Sequence, residues 1–260
     1  MRNGLKYIFS GTSTPKIITE NENQCIQHED FSDSEDVIDL SDEEIPTENE
    51  QEYIKVSDTR TIPKNNLKCL EPGEHLNGTI INGFIHILWR QKQNFFYFET
   101  DFYPYLHKKE ENKIYSWKSS SKIKKIITKA IKNIDINMQQ HIIIPINTEN
   151  IHWKFSNINL KEKKIQIFNS FRTQREEIED KEILENLKEF VNCHILKENW
   201  ATILEKSPQQ NNDFDCGVFL LWMIAKVING EDLIQPKISR SDIINLITSY
   251  DKFLKCFAKL

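Results

Sequence analysis

Residues 208 to 217, Pro-Gln-Gln-Asn-Asn-Asp-Phe-Asp-Cys-Gly, put a cysteine where a polar, turn-forming segment meets an apolar run, Val218 to Ile224. The run has the length and composition of a buried helix, and Asp213 or Asp215 is a candidate N-cap. A thiol at that junction faces backbone N–H groups that lack helical partners and the positive end of the helix dipole. Both favour the thiolate, which is the nucleophilic form. Gln210, six residues before Cys216, carries an amide able to donate to an oxyanion beside the sulfur. The chemistry available to this block is acyl transfer through a thioester. An isolated Cys-Gly opening an apolar helix is more often a buried structural cysteine, so a base must be found before the reading holds.

The candidate base lies upstream. Ile151-His152-Trp153-Lys154-Phe155-Ser156-Asn157-Ile158 and Ile165-Gln166-Ile167-Phe168-Asn169-Ser170 are two β-rich runs around a short charged stretch, Lys161 to Lys164. They read as a hairpin, although no Asn-Gly turn is present. A fold about Leu160-Lys161 sets His152 directly across from Asn169, and opposed side chains have Cβ atoms about 4.5–5.5 Å apart. Asn169 can then accept a hydrogen bond from the imidazole. A cysteine nucleophile needs a base and the base needs an orienting acceptor. Cys216, His152 and Asn169 supply those three roles.

The elements that must position them are legible in coarse form. Residues 78 to 91 and 121 to 134 have helical spacing, the second with a lysine face and with Trp117 expected to anchor its start. His141 to Pro145 reads as a buried central strand leading into the hairpin. Residues 176 to 190 read as a mixed-charge surface helix, and 241 to 257 as a C-terminal helix packed on the core. The lysines around Lys122, Lys124 and Lys125 read as a solvated helix face, so no nucleic-acid partner is expected. There is no glycine-rich phosphate loop and no internal repeat.

These blocks together resemble the ubiquitin-like-protein proteases, the SUMO (sentrin)-specific cysteine proteases. The family's signature is His-Trp, an acidic residue followed by Ser seventeen positions after that His, and Pro-Gln-Gln-x-Asn-Gly-Tyr-Asp-Cys-Gly. Here these stand as His152-Trp153, Asn169-Ser170 and Pro208 through Gly217. Leu76-Asn77-Gly78-Thr79-Ile80-Ile81-Asn82 resembles the family's entry helix, and Phe95 to Leu106 its Phe-Phe-Tyr segment. The resemblance covers roughly residues 60 to 258. It implies an α+β fold: a papain-like cysteine protease architecture of the ubiquitin-like-protease type, with a mixed central sheet flanked by helices.

By the same resemblance Cys216 is the nucleophile, His152 the base, Asn169 the orienter and Gln210 the oxyanion-hole donor. His75, Leu76, Asn77, Trp153 and Gly217 contact the substrate, and Trp153 walls the tunnel for its C-terminal Gly-Gly. The expected activity is hydrolysis of the peptide or isopeptide bond after that Gly-Gly, in precursor maturation, deconjugation or both. Another ubiquitin-like modifier, or a viral-type polyprotein, is the alternative substrate. A catalytically weak SUMO-binding protein is the alternative of another class. Three positions depart from the pattern: Asn169 replaces an acidic residue, His75 a lid tryptophan and Gly78 an aspartate.

Composition fits one domain and a tail. The chain has 260 residues and a net charge of −5, but residues 20 to 52 hold fourteen Asp or Glu and no Lys or Arg. That leaves 25 acidic residues against 34 basic ones elsewhere. An acidic stretch with few apolar residues does not fold alone. Residues 1–55 are therefore expected to be a disordered acidic tail and 56–260 the catalytic domain. The tail's apolar island, Val37-Ile38-Asp39-Leu40 before Ser41-Asp42-Glu43-Glu44, is similar to SUMO-interacting motifs, in which a short aliphatic strand joins a sheet edge. Five scattered cysteines (Cys25, Cys69, Cys193, Cys216, Cys256) without a Cys-x-x-Cys point to a reducing compartment, with no disulfide framework, metal or cofactor expected. No apolar stretch approaches the roughly 18 residues of a membrane span, and the N-terminus lacks a signal-peptide core. A monomer is expected, and family resemblance implies the nucleus, with a share in the cytoplasm.

Overall fold

A computed structural model describes residues 52–110, 113–116, 121–132, 134–234 and 238–248. Residues 1–51 of the expected tail, Val37–Leu40 included, Trp117 and the end of the expected C-terminal helix lie outside them, whereas Tyr53 to Lys55, expected in the tail, belong to the first strand. In chain order the elements are β1 (Tyr53–Ser57), β2 (Arg60–Pro63), a 3-10 turn (Lys64–Leu70), α1 (Gly78–Lys92), β3 (Phe95–Tyr97) and α2 (Tyr103–Leu106). Then follow β4 (His107–Glu110), β5 (Lys113–Ser116), α3 (Ser121–Ile131), β6 (His141–Thr148), β7 (His152–Asn159) and β8 (Lys164–Phe168). The order closes with α4 (Gln174–His194), β9 (Ala201–Leu204), α5 (Cys216–Asn229) and α6 (Arg240–Thr248).

The main sheet runs β3-β6-β7-β8-β9. Its outer pairs, β3 with β6 and β8 with β9, are parallel, and its inner pairs are antiparallel. The expected α+β fold with a mixed sheet is what forms. β6 is interior, as expected, but the central strand is β7. Alternation along the strands divides the core in two. Ile143, Trp153, Phe155 and Phe168 face α1 and α5, while Ile142, Ile144, Ile158, Ile165 and Ile167 join the cluster that contains α4. A sheet covered on both faces explains why β7 is buried along nearly its whole length, Lys154 included.

Two elements differ from expectation. The helix expected over 121–134 ends at Ile131. The helix over 176–190 extends to Gln174–His194 and is no mere surface element, since Ile183, Leu184, Leu187, Phe190 and Val191 pack into the core. Charge patterning concealed this because α4 also buries Asp180. Thr173 caps it, its hydroxyl accepting from Glu176 N at 3.2 Å. Among the described residues no helix is long and apolar enough to cross a membrane.

Candidate active site

β7 and β8 bring His152 and Asn169 together, though not by the expected register. Phe155 opposes Phe168 and Asn159 opposes Lys164, two residues out of step with a fold about Leu160-Lys161. The loop is four residues long, with Lys163 in the left-handed region at φ 54° and Glu162 N donating to the Asn159 side chain at 2.9 Å. A shift of two preserves the face on which each side chain lies. His152 therefore still reaches Asn169, and its Nε2 is 2.8 Å from Asn169 Oδ1. The residue that continued pairing would set against His152 is Phe171, whose ring centroid is 6.0 Å from the imidazole.

The tautomer follows from the donors around Asn169. Its Oδ1 accepts from Phe171 N at 2.9 Å, and an amide N–H can only donate. Its Nδ2 donates to Asp180 Oδ2 at 3.0 Å and Glu176 Oε2 at 3.3 Å. The amide is thereby held one way round, so His152 Nε2 must carry the proton and Nδ1 must be the basic nitrogen.

Cys216 opens α5 and is buried at 1 % exposure. Its Sγ lies 3.9 Å from the carbonyl oxygen of Ile151, the residue before His152. The helix start is not the only influence on the thiol. Burial pushes the Cys216 thiol up, and the backbone of Trp153, Gly217 and Cys216 only partly opposes it. Burial likewise pushes His152 down, against the hydrogen bond it donates to Asn169 and the charge of Glu176. Desolvation of a charged form outweighs a helix terminus when the group is this enclosed. Both shifts act against separation of charge between thiol and imidazole.

Asp215 stands at the N-cap position of α5 but makes no capping bond. Its carboxylate is taken by Arg240 Nη2 at 2.8 Å and Asn212 Nδ2 at 2.8 Å. Arg240 also donates to the carbonyls of Phe214, Cys69 and Glu71. That guanidinium ties the turn before Cys216 to α6 and to the end of the 3-10 turn. Nothing in the sequence near Cys216 announced it.

Gln210 lies in the same neighbourhood, with Ser170 Oγ donating to its Oε1 at 2.8 Å and its Nε2 donating to Asn212 O at 2.7 Å. The amide has a second N–H to offer. Trp153 is buried and its Nε1 donates to Leu76 O at 2.7 Å. Gly217 is required by contact, because a Cβ there would meet Leu76 Cβ at 2.7 Å. Leu76, Trp153 and Gly217 thus meet where α5, β7 and the approach to α1 converge. His75 is exposed beside them. Asn77 is committed to the scaffold: it caps α1, accepting from Ile80 N at 3.0 Å, and donates to Asn66 at 2.8 Å. A cleft of about 260 Å³ opens beside His152, lined by Ile151, Phe171 and Gln210 and by the charged Glu149, Arg175 and Asp213.

Comparison with known proteins gives the same grouping. Residues 74–256 match the family described as the Ulp1 protease family, C-terminal catalytic domain. Ubiquitin-like-specific protease 1A of Arabidopsis thaliana is 28 % identical over 178 residues, covering 64 % of this chain and 34 % of that protein. Ubiquitin-like-specific protease 1 of Saccharomyces cerevisiae is 27 % identical over 166 residues, covering 63 % of this chain and 25 % of that protein. The chain thus matches a quarter to a third of the length of these relatives. Among solved structures, the C-terminal Ulp1 protease domain in complex with Smt3, the yeast ortholog of SUMO, shares the fold. Its TM-score is 0.62 at 23 % identity, over 81 % of this chain and 91 % of that one.

Proposed function

The chain belongs to the Ulp1 protease family, and from that premise we propose that it is a cysteine protease hydrolysing the peptide or isopeptide bond after the C-terminal Gly-Gly of SUMO. The observation that carries the reading is the 2.8 Å bond from His152 Nε2 to Asn169 Oδ1. It leaves the basic Nδ1 free to serve a thiol whose helix starts beside the same strand. As the substrate binds, Nδ1 takes the Cys216 proton and the sulfur attacks the Gly carbonyl. The second N–H of Gln210, with backbone N–H groups at the start of α5, receives the oxyanion. The imidazolium returns its proton to the leaving amine, which departs through the cleft beside Ile151 and Phe171. Water activated by His152 then hydrolyses the thioester.

Trp153 and Leu76, joined by the indole hydrogen bond, form the wall against which the Gly-Gly tail lies, with His75 at the rim and Asn77 holding the α1 end of that wall. Glycine at both tail positions, lacking side chains, suits a wall built from the buried Trp153 indole and Leu76. In the proposed acidic tail before β1, the Val37–Leu40 segment adds a second hold on SUMO. That part rests on sequence alone, as does residence in the nucleus, which imaging of the tagged full chain checks. The departures at His75 and Gly78 favour one competing reading, a protease for another ubiquitin-like modifier.

The deciding experiment is cleavage of SUMO precursor, a SUMO conjugate and ubiquitin precursor by the full chain. Release of mature SUMO only, lost in Cys216→Ser, is expected. Cleavage of the ubiquitin precursor alone would move the substrate to another modifier.

A further inference from the structure

Behind Asn169 lies a cluster of charges that the chemistry above does not use. Lys154, Asp180 and Asn169 are each 0 % exposed. Lys154 Nζ donates to Glu176 Oε2 at 2.6 Å, Glu179 Oε2 at 2.8 Å and Asp180 Oδ1 at 2.8 Å, which uses all three of its N–H groups. Asp180 is the bridge. Its Oδ1 is on the ammonium, and its Oδ2 accepts from Asn169 Nδ2 at 3.0 Å. Three carboxylates surround one cation, so the cluster keeps a surplus of negative charge close to the imidazole.

We propose that Asp180 is a positioning residue for His152. The negative charge serving the histidine is carried one hydrogen bond outward from it, and Asn169 is the amide that transmits it. The inference rests on the proposed roles of Cys216 and His152. Lys154 fixes Asp180, Asp180 fixes the amide of Asn169, and Phe171 N–H fixes the amide's other end. A carboxylate accepting from Nδ2 polarises the amide and makes Oδ1 a stronger acceptor for Nε2–H. The imidazolium formed in the reaction then faces, through that amide, a buried negative charge.

This arrangement makes Asn at 169 a matched residue and not a decayed one. A carboxylate at 169 would face Asp180 Oδ2 at 3.0 Å and Glu176 Oε2 at 3.3 Å with no proton between them. Carboxylates so close resist joint ionisation. Moving the charge inward requires removing it from 180, and the paired exchange Asn169→Asp with Asp180→Asn keeps both the donor count and the total charge.

The test compares wild type, Asn169→Asp, Asp180→Asn and the paired exchange, all as the full chain. kcat and KM are measured on a SUMO C-terminal fluorogenic amide, and folding is checked by urea unfolding. Each single change is expected to lower kcat on the order of tenfold at unchanged KM, with the exchange restoring most of it, a non-additivity typical of groups in one network. Asn169→Asp as active as wild type, or an exchange that fails to fold or is no better than its parents, overturns the proposal.

An NMR titration of His152 needs no substrate. The imidazole is faced by Glu176 and Asp180 of α4, Lys154 of its own strand, and Asn169 and Phe171 after β8, and the cleft beside it also carries Glu149, Arg175, Glu179 and Asp213. Its midpoint is expected to fall in Asp180→Asn and to rise above wild type in the exchange. An unmoved midpoint overturns the positioning role. A wild type that leaves the SUMO amide intact, with the midpoints moving as stated, sinks the substrate assignment instead.

Discussion

A Cβ on Gly217 would stand 2.7 Å from Leu76 Cβ, closer than two such atoms approach in a relaxed structure. The first turn of α5 therefore rests directly on the segment leading into α1, whose Leu76 carbonyl also takes the Trp153 indole N–H at 2.7 Å. The helix that carries Cys216, the strand of the base and the proposed tunnel wall share one contact point. Gly217→Ala is expected to cost about 1–3 kcal/mol of stability. It should also lower kcat/KM roughly 10–100-fold by displacing the thiol. Thermal melts and kinetics check this, and Leu76→Ala in the same chain, which keeps the Cβ that a side chain at 217 would strike, should not relieve it.

Restoring an aspartate at position 78 should harm and not help. A Cβ on Gly78 would meet Thr100 Oγ1 at 2.6 Å, and that hydroxyl accepts from Asn82 Nδ2 at 3.1 Å. Gly78→Asp is expected to destabilise by about 1–3 kcal/mol, while Thr100→Ala in the same chain should make it tolerable. Urea denaturation of the three variants decides the matter.

The pH dependence follows from burial. A thiol pushed up stays protonated to higher pH, and an imidazole pushed down stays neutral, and able to act as base, to lower pH. The acid limb of kcat/KM should thus fall below the ordinary histidine range of about 6.5. Iodoacetamide labelling of Cys216 without substrate should rise only above the ordinary thiol range of about 8.5. Labelling that plateaus well below pH 8 would mean a resting thiolate–imidazolium pair.

Arg240 is the support of the cysteine loop. Arg240→Ala removes donors from Asp215 and from three backbone carbonyls. A loss of about 1.5–3 kcal/mol is expected, the range for hydrogen bonds to charged groups. Arg240→Lys should recover little of it, since an ammonium cannot reproduce the planar fork. Calorimetry of both variants provides the comparison.

Much of the site was legible because its chemistry is local. The polar-to-apolar junction at Cys216 marks a helix start, and two β-rich runs around Lys161 to Lys164 mark a hairpin. The register was not legible. Lys163 in the left-handed region lengthens the loop, and no glycine or Asn-Gly announces it. The His152–Asn169 contact survived only because the error was an even number of residues. Asp215 was legible as an N-cap by position but not in bonding, because its partner Arg240 is 25 residues away. The Lys154–Asp180 pair was invisible for the same reason: a charged residue in a polar helix reads as surface until the strand it packs against is known. The burial that pushes the Cys216 thiol up was not legible either, because sequence gives the helix end and not the enclosure around it.

The most direct measurement is reaction of the full chain with SUMO bearing a C-terminal electrophile, beside the ubiquitin equivalent, read by intact mass and peptide mapping. A single SUMO adduct on Cys216 is expected, with none on the exposed Cys193, none in Cys216→Ser and a strongly slowed reaction in His152→Ala. An adduct that forms on another cysteine, or persists in Cys216→Ser, would contradict the assignment of the nucleophile.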